Sequence, residues 1–312
     1  MKKLLILALS LVLAVFAAAC GSKEAEETTA SAEKEELTIK HQLGETKVPK
    51  NPEKVVVFDF GTLDSMDKLG VEAAGVPQEN VPSYLSKYED AKYENVGGLK
   101  EPDFEKINEM EPDLIIISGR QQDSYEEMSK IAPTIFMGVD TTKYMESFKQ
   151  NVTTLGEIFG KEEEAEKEFA YVEESIKALK EKASAGDEKA LIVLANDGKV
   201  SAYGAGSRFG IIHDEFGFAA ADEKIEVSTH GQSISFEYIV EKDPDYLFVI
   251  DRGAVVGGES SAKQVVENDL VKNTKAYKNG KIIYLDPDYW YLSGGGLESV
   301  AGMTEEVAGA IQ

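Results

Sequence analysis

Short, continuous apolar runs recur along most of the chain. VVVFDF (55–60), DLIIIS (113–118) and TIFMG (134–138) lie in the first half; ALIVLA (190–195), KVSAY (199–203), YLFVI (246–250) and KIIYL (281–285) lie in the second. Runs that do not alternate with polar residues predict strands covered on both faces, and the segments between them read as helices, so the pattern predicts an α/β fold. Asn196-Asp197-Gly198 reads as a tight hairpin turn between two of the runs. One segment breaks the rhythm. Lys161 to Ala183 is heavily charged, with Phe169, Val172, Ile176 and Leu179 at helical spacing. It predicts a single long helix, 161–183, joining two Rossmann-like lobes at 37–160 and 184–312. A helical connector allows less hinge motion than a pair of crossing strands.

Two stretches of this pattern are copies of one another. Phe104 to Arg120 reads FEKINEMEPDLIIISGR, and Phe236 to Arg252 reads FEYIVEKDPDYLFVIDR. Phe, Glu, Ile, Glu, Pro, Asp and Arg coincide without a gap. Each copy predicts an amphipathic helix, a Pro-Asp turn and a buried strand. The duplication supports one lobe per copy.

The N-terminus has a different character. Lys2 and Lys3 precede an apolar run from Leu4 to Phe16, followed by Ala17, Ala18, Ala19 and Cys20. The run is short for a bilayer span and matches the core of a secretion signal, 1–19. Cys20 is the only cysteine, which excludes an intrachain disulfide. The segment resembles a bacterial lipoprotein lipobox, with Ala17 where leucine is commoner. That resemblance implies cleavage before Cys20 and lipidation of its thiol and new N-terminus, anchoring the protein on the extracytoplasmic face of the membrane of a Gram-positive cell. Residues 20–36 carry six Glu and no large apolar side chain. Such a segment reads as a tether, with a reach of roughly 20–25 Å as a flexible coil.

Charge narrows the function. The net charge of -24 argues against nucleic acid and against lying flat on an anionic membrane. Of 33 basic residues only three are arginine: Arg120, Arg208 and Arg252. Arg120 and Arg252 end the two repeat copies, just past a buried strand, where open α/β sheets bind ligands. Arg208 lies in the turn YGAGSR, before a predicted helix at 209–216. Each arginine taken alone is accounted for by a salt bridge within its lobe. Three rare guanidiniums, two of them equivalent in the repeat, point instead to one cleft for a compact anion, because guanidinium stays charged and offers forked donors.

With these residues in place, the chain is similar throughout its length to the substrate-binding lipoproteins of iron-siderophore ABC importers, in the class with two α/β lobes on a helical backbone. Within that family it looks most like receptors for ferric catecholates of the petrobactin type. The resemblance implies that Arg120, Arg208 and Arg252 hold the anionic iron complex. Some members add a His and a Tyr to iron where the siderophore leaves coordination sites open, and His230 and Tyr291 fall at the matching positions. Read from the residues alone, His230 is equally a solvated loop histidine, and Tyr291 is equally a packing residue beside Trp290. Tyr289 and Trp290 could flank catechol rings by stacking. Glu105 and Glu237 each open a repeat helix, which the helix dipole explains locally; the family resemblance implies that they dock onto the permease of the permease–ATPase complex. His41 and His213 receive no role.

No catalytic motif stands against this reading. The chain has no G-x-S-x-G, P-loop or H-E-x-x-H pattern, and its three dispersed histidines do not suit a zinc or manganese receptor. The expectation is a monomeric binding protein, not an enzyme, with no cofactor of its own and a ferric siderophore as ligand. A haem or other ferric-chelate receptor of the same fold is the alternative, since haem propionates also attract arginine.

Overall fold

The computed structural model describes residues 35–311. The signal segment 1–19, the lipidation site Cys20 and most of the tether 20–36 lie outside the described residues. Among the described residues, no helix is long and apolar enough to cross a membrane.

The first elements are β1 (Glu36–His41) and β2 (Gly44–Pro49), an antiparallel hairpin that begins one residue inside the expected tether. Thr46 donates to the Thr134 carbonyl at 2.8 Å and holds the hairpin on the first lobe. Then come β3 (Val55–Val57), α1 (Phe60–Lys68), β4 (Gly75–Val76), β5 (Glu94–Asn95), α2 (Phe104–Met110), β6 (Leu114–Ile117) and β7 (Thr134–Phe136). The five strands β5-β4-β3-β6-β7 form a parallel sheet. Both faces of its central strands are buried, as their unbroken apolar runs require.

Helices α3 (Tyr144–Phe159) and α4 (Glu162–Ala183) follow. In α4 the predicted stripe of Phe169, Val172, Ile176 and Leu179 is buried, and the charged face is left to solvent. Phe169 meets Phe148 of α3 with ring centroids 5.3 Å apart. One apolar cluster runs from the first lobe through these helices into the second.

The second lobe contains β8 (Lys189–Asn196), β9 (Lys199–Tyr203), β10 (Ala219–Ala220), β11 (Gln232–Ile234), α5 (Phe236–Lys242), β12 (Tyr246–Asp251) and β13 (Ile282–Leu285). Its sheet runs β11-β9-β8-β12-β13, with β10 added beside β8. Asp197 and Gly198 both have positive φ, 44° and 80°, which makes the β8–β9 connection a hairpin turn of the twist-matched kind.

The repeat is visible as two helix–strand units. Asp103 and Ser235 cap α2 and α5 with their side chains. Glu111 and Asp243 end the same helices in the left-handed region, at φ 47° and 40°. The shared aspartates then pin the neighbouring strand. Asp113 accepts from the Glu53 and Lys54 amides at 3.0 and 2.9 Å ahead of β3, and Asp245 accepts from the Lys189 amide at 2.9 Å at the start of β8.

The chain ends in α6 (Leu297–Ala310). The sequence reading groups this segment with the second lobe, but it crosses back and seats on α1. The Leu297 amide donates to Ser65 Oγ at 3.0 Å, and the Glu298 and Ser299 amides donate to the Asp64 carboxylate at 3.1 Å each. The buried Asp64 side chain thus satisfies the free amides at the first turn of α6.

Candidate functional site

The lobes enclose a cleft of about 1100 Å³. One wall comes from residues beyond β6, among them Ser118, Gly119 and Arg120. The opposite wall comes from Ser207, Arg208, Phe209 and the loop at 227–230. The base is formed in part by Trp290 and Tyr291. Those two lie in Asp288–Ser293, a single turn of π-helix ending at Gly294 with φ 62°. Such turns are rare and often mark functional sites. This one is tied to the first lobe, where Ser83 donates to the Asp288 carboxylate and Tyr84 to Ser293 Oγ at 2.6 Å.

Arg120 is aimed by the 3₁₀ turn Gly119–Ser124, whose Gln121 side chain closes back on the Ser118 amide at 3.2 Å. Its Nη2 donates to the Tyr291 carbonyl at 2.8 Å. Arg208 Nη2 donates to the same oxygen at 2.5 Å from the other lobe, and its guanidinium lies 4.3 Å from the Tyr291 ring centroid. Burial first, and then the charge of Arg120, lowers the Arg208 pKa below the usual guanidinium value. It remains a cation at any working pH.

Arg252 does not line the cleft; it stands behind Tyr291, with Nε donating to the phenol oxygen at 2.9 Å and Nη1 to Asn196 Oδ1 at 2.9 Å. Of the three guanidiniums expected in one cleft, Arg120 and Arg208 therefore line it from opposite walls, and Arg252 acts on the tyrosine. The reason is local, because Arg252 follows β12 directly and its reach is taken up by Asn196 and Tyr291. Burial opposes ionisation of the Tyr291 phenol, but the Arg252 hydrogen bond and the charges of Arg208 and Arg252 outweigh it and hold the pKa below the ordinary tyrosine value. Among the described residues, none of the three arginines is paired with a carboxylate. Their partners are carbonyls, an amide oxygen and a phenol, so their positive charge is not neutralised locally.

The other sequence candidates separate. His230 is exposed on the lip of the same cleft as Tyr291, its amide donating to Ser228 Oγ at 3.3 Å. Trp290 is 2 % exposed; its Nε1 donates to Glu306 at 2.9 Å and its ring meets Phe216 edge-on. Tyr289 turns away from the cleft, because successive residues of the π-turn project in different directions. It packs on Tyr84, with centroids 4.8 Å apart, and lines a separate groove beside α4 and α6. Glu105 and Glu237 are exposed in the first turns of α2 and α5, one per lobe and away from the cleft lining. Among the described residues, no group of three His, Cys, Asp or Glu side chains could hold a metal ion.

Three wall residues escape the sequence reading: Lys100, Asp59 and Tyr144. Lys100 is one lysine among many, with no motif around it. Asp59 carries a usable signal, since it follows the buried run at β3 and so stands at a strand's carboxyl end. Tyr144 belongs to no apolar run or motif; only the tertiary approach of α3 places it here.

The model of the periplasmic binding protein family matches residues 55–289. The petrobactin-binding protein YclQ of Bacillus subtilis is 56% identical over 316 residues, covering 100% of both chains. Its crystal structure superimposes with a TM-score of 0.88, at 59% identity, covering 89% of this chain and 99% of that one. The periplasmic catecholate-siderophore binding protein VctP of Vibrio cholerae superimposes with a TM-score of 0.83, at 40% identity, over 88% of this chain and 99% of that one. The superpositions show that these relatives share the two-lobed α/β fold, and the chain belongs to the periplasmic binding protein family.

Proposed function

We propose that this protein is the receptor of an ABC importer and captures an anionic Fe(III)–siderophore, a catecholate of the petrobactin type, between its lobes. The observation that carries the reading is the pair Arg120 and Arg208, delivered from opposite lobes to one cleft with no carboxylate to neutralise them. Lys100 adds a third cation to the same walls. A volume of about 1100 Å³ admits a metal chelate of siderophore size. The names of the relatives, a petrobactin receptor and a catecholate-siderophore receptor, support the ligand class.

The iron is cargo. His230 and Tyr291 share the cleft and would complete its coordination sphere when the siderophore leaves positions open; Arg252 would keep the phenol oriented and electron-rich. Glu105 and Glu237 would meet the permease. Lipidation at Cys20 would keep the receptor beside its importer on the outer face of the membrane. The protein acts by binding and release, not by catalysis.

Trp290 is the only tryptophan and lies at the base of the cleft. Its fluorescence should be quenched saturably by ferric bis-catecholates. Quenching should be lost when Arg120, Arg208 and Arg252 are all replaced by Ala. Undiminished binding by that triple variant, or binding of haem alone, would overturn the reading.

A further inference from the structure

Two hydrogen bonds meet on one phenol beneath the cleft. Tyr84 belongs to the 3₁₀ turn Ser83–Glu89 of the first lobe. Its oxygen stands 3.0 Å from Asp64 Oδ2 and 2.6 Å from Ser293 Oγ. Ser293 ends the π-turn that carries Tyr291, and it is one of the residues that line the cleft. The Tyr84 ring packs on Tyr289 of the same turn. A row of three side chains thus runs from a fully buried carboxyl to the floor of the cleft.

The row has two arrangements, because a phenol has one proton to give. An ionised Asp64 only accepts, so Tyr84 donates to it and the Ser293 hydroxyl donates to Tyr84. A protonated Asp64 donates to Tyr84, and Tyr84 donates to Ser293. The amides of Glu298 and Ser299 bond to the carboxyl oxygens in both. The two differ in what the cleft feels. In the first, the hydroxyl protons point away from it, toward a buried negative charge. In the second, the protons are passed toward it and that charge is gone. An anion in the cleft favours the second on both counts.

Burial holds the Asp64 pKa up at about 7 against bonds from Ser299, Glu298 and Tyr84, so both arrangements are populated near neutral pH. The phenols packed around it do not compete for the proton. Tyr84 and, on α3, Tyr144 are pushed up by burial and then by the charge of Asp64. Tyr289 on the π-turn is pushed up by burial and then by Glu298 of α6. The other charged groups acting on these phenols are the carboxylates of Asp59, Asp286 and Asp288.

We infer that Tyr84 is a positioning residue that carries the protonation state of Asp64 to the π-turn, so that capture of an anion in the cleft draws a proton onto Asp64. Tyr84 itself needs no contact with the ligand. This role rests on the anionic-chelate reading above and adds a regulation to it. The receptor holds its ligand more tightly in mild acid and gives it up more readily as the pH rises through neutrality.

Calorimetric titration with a ferric bis-catecholate, run in two buffers of different ionisation heat, counts the protons taken up on binding. Wild type, Tyr84→Phe and Ser293→Ala are compared between about pH 6 and pH 8. Tyr84→Phe keeps the ring beside Tyr289 and removes the oxygen, whereas Ser293→Ala cuts the row at its cleft end. Titration of the chelate, and of His230 on the cleft lip, is common to all three proteins, so differences between them report the row. If the bound anion prefers the protonated arrangement about tenfold, the wild type should take up about 0.4 proton more than either variant at neutral pH. Its affinity should also rise about fivefold more than theirs from pH 8 to pH 6. Variants that bind more weakly at every pH but take up as many protons as the wild type would leave Tyr84 a merely structural residue and overturn the role. Wild-type excess that survives in Ser293→Ala would overturn it too, since Asp64 would then act without the row. Wild-type protein that binds no ferric chelate at any pH would sink the anionic-chelate reading itself, and this role with it.

Discussion

Asp64 shows how one side chain joins distant parts of the chain. It is fully buried, accepts from Tyr84 at 3.0 Å and seats the first turn of α6. Burial raises its pKa to about 7, while hydrogen bonds from Ser299, Glu298 and Tyr84 pull the other way. Unfolded aspartate titrates near 3.9. Between about pH 4 and 7 the folded protein therefore holds a proton that the unfolded chain has released. The stability Asp64 contributes is full below that window and falls as the pH rises through it. His41 and His213, both lowered by burial, work in the opposite sense and lose stability as the pH drops below about 6.5. Melting curves of the wild type minus those of Asp64→Asn separate the two effects. That difference should shrink from pH 5 to pH 8; a difference that grows would show an ionised Asp64 held by its amide donors. The sequence made the arginines legible because they are scarce and two are equivalent in the repeat. It left Asp64 and Tyr144 silent, because what sets them apart is burial, and burial comes from α1, α3 and α6 meeting in three dimensions.

The elements that position the cleft differ in how plainly they are written. Unbroken apolar runs gave β3, β6, β8 and β12, and helical spacing gave α4, since burial on both faces or along one stripe leaves a direct pattern. The two-residue strands β4, β5 and β10 are too short to show a period. The polar hairpin β1–β2 exposes half of its residues and buries only Ile39 and Val48. The π-turn and the return of α6 depend on glycine geometry that no periodicity reports. Gly296 sits where α6 meets α1, and a Cβ there would overlap the Asp64 carboxylate and the Gly61 carbonyl. Gly296→Ala should cost at least about 1–3 kcal/mol, the usual range for overpacking. Thermal melts followed by circular dichroism would register it as a clear fall in melting temperature. An unchanged melt would mean that α6 is not seated on α1 in this way.

Taken together, the lobes present two kinds of surface. The cleft faces inward with its cations, and Glu105 and Glu237 face outward in matching positions on α2 and α5. Replacing both glutamates by Ala should abolish siderophore uptake by cells and leave affinity in solution intact; a loss of affinity would reassign them. The cleft itself has a property that bears on speed. Arg120 comes from one lobe and Arg208 from the other, yet both end on the Tyr291 carbonyl oxygen. Two long side chains are thereby ordered before any ligand arrives. Immobilising such side chains ordinarily costs about 0.5–1.5 kcal/mol each at the moment of binding. Here a peptide oxygen serves as a resident surrogate for the anion, so the empty receptor is already cocked and capture becomes a matter of encounter and exchange.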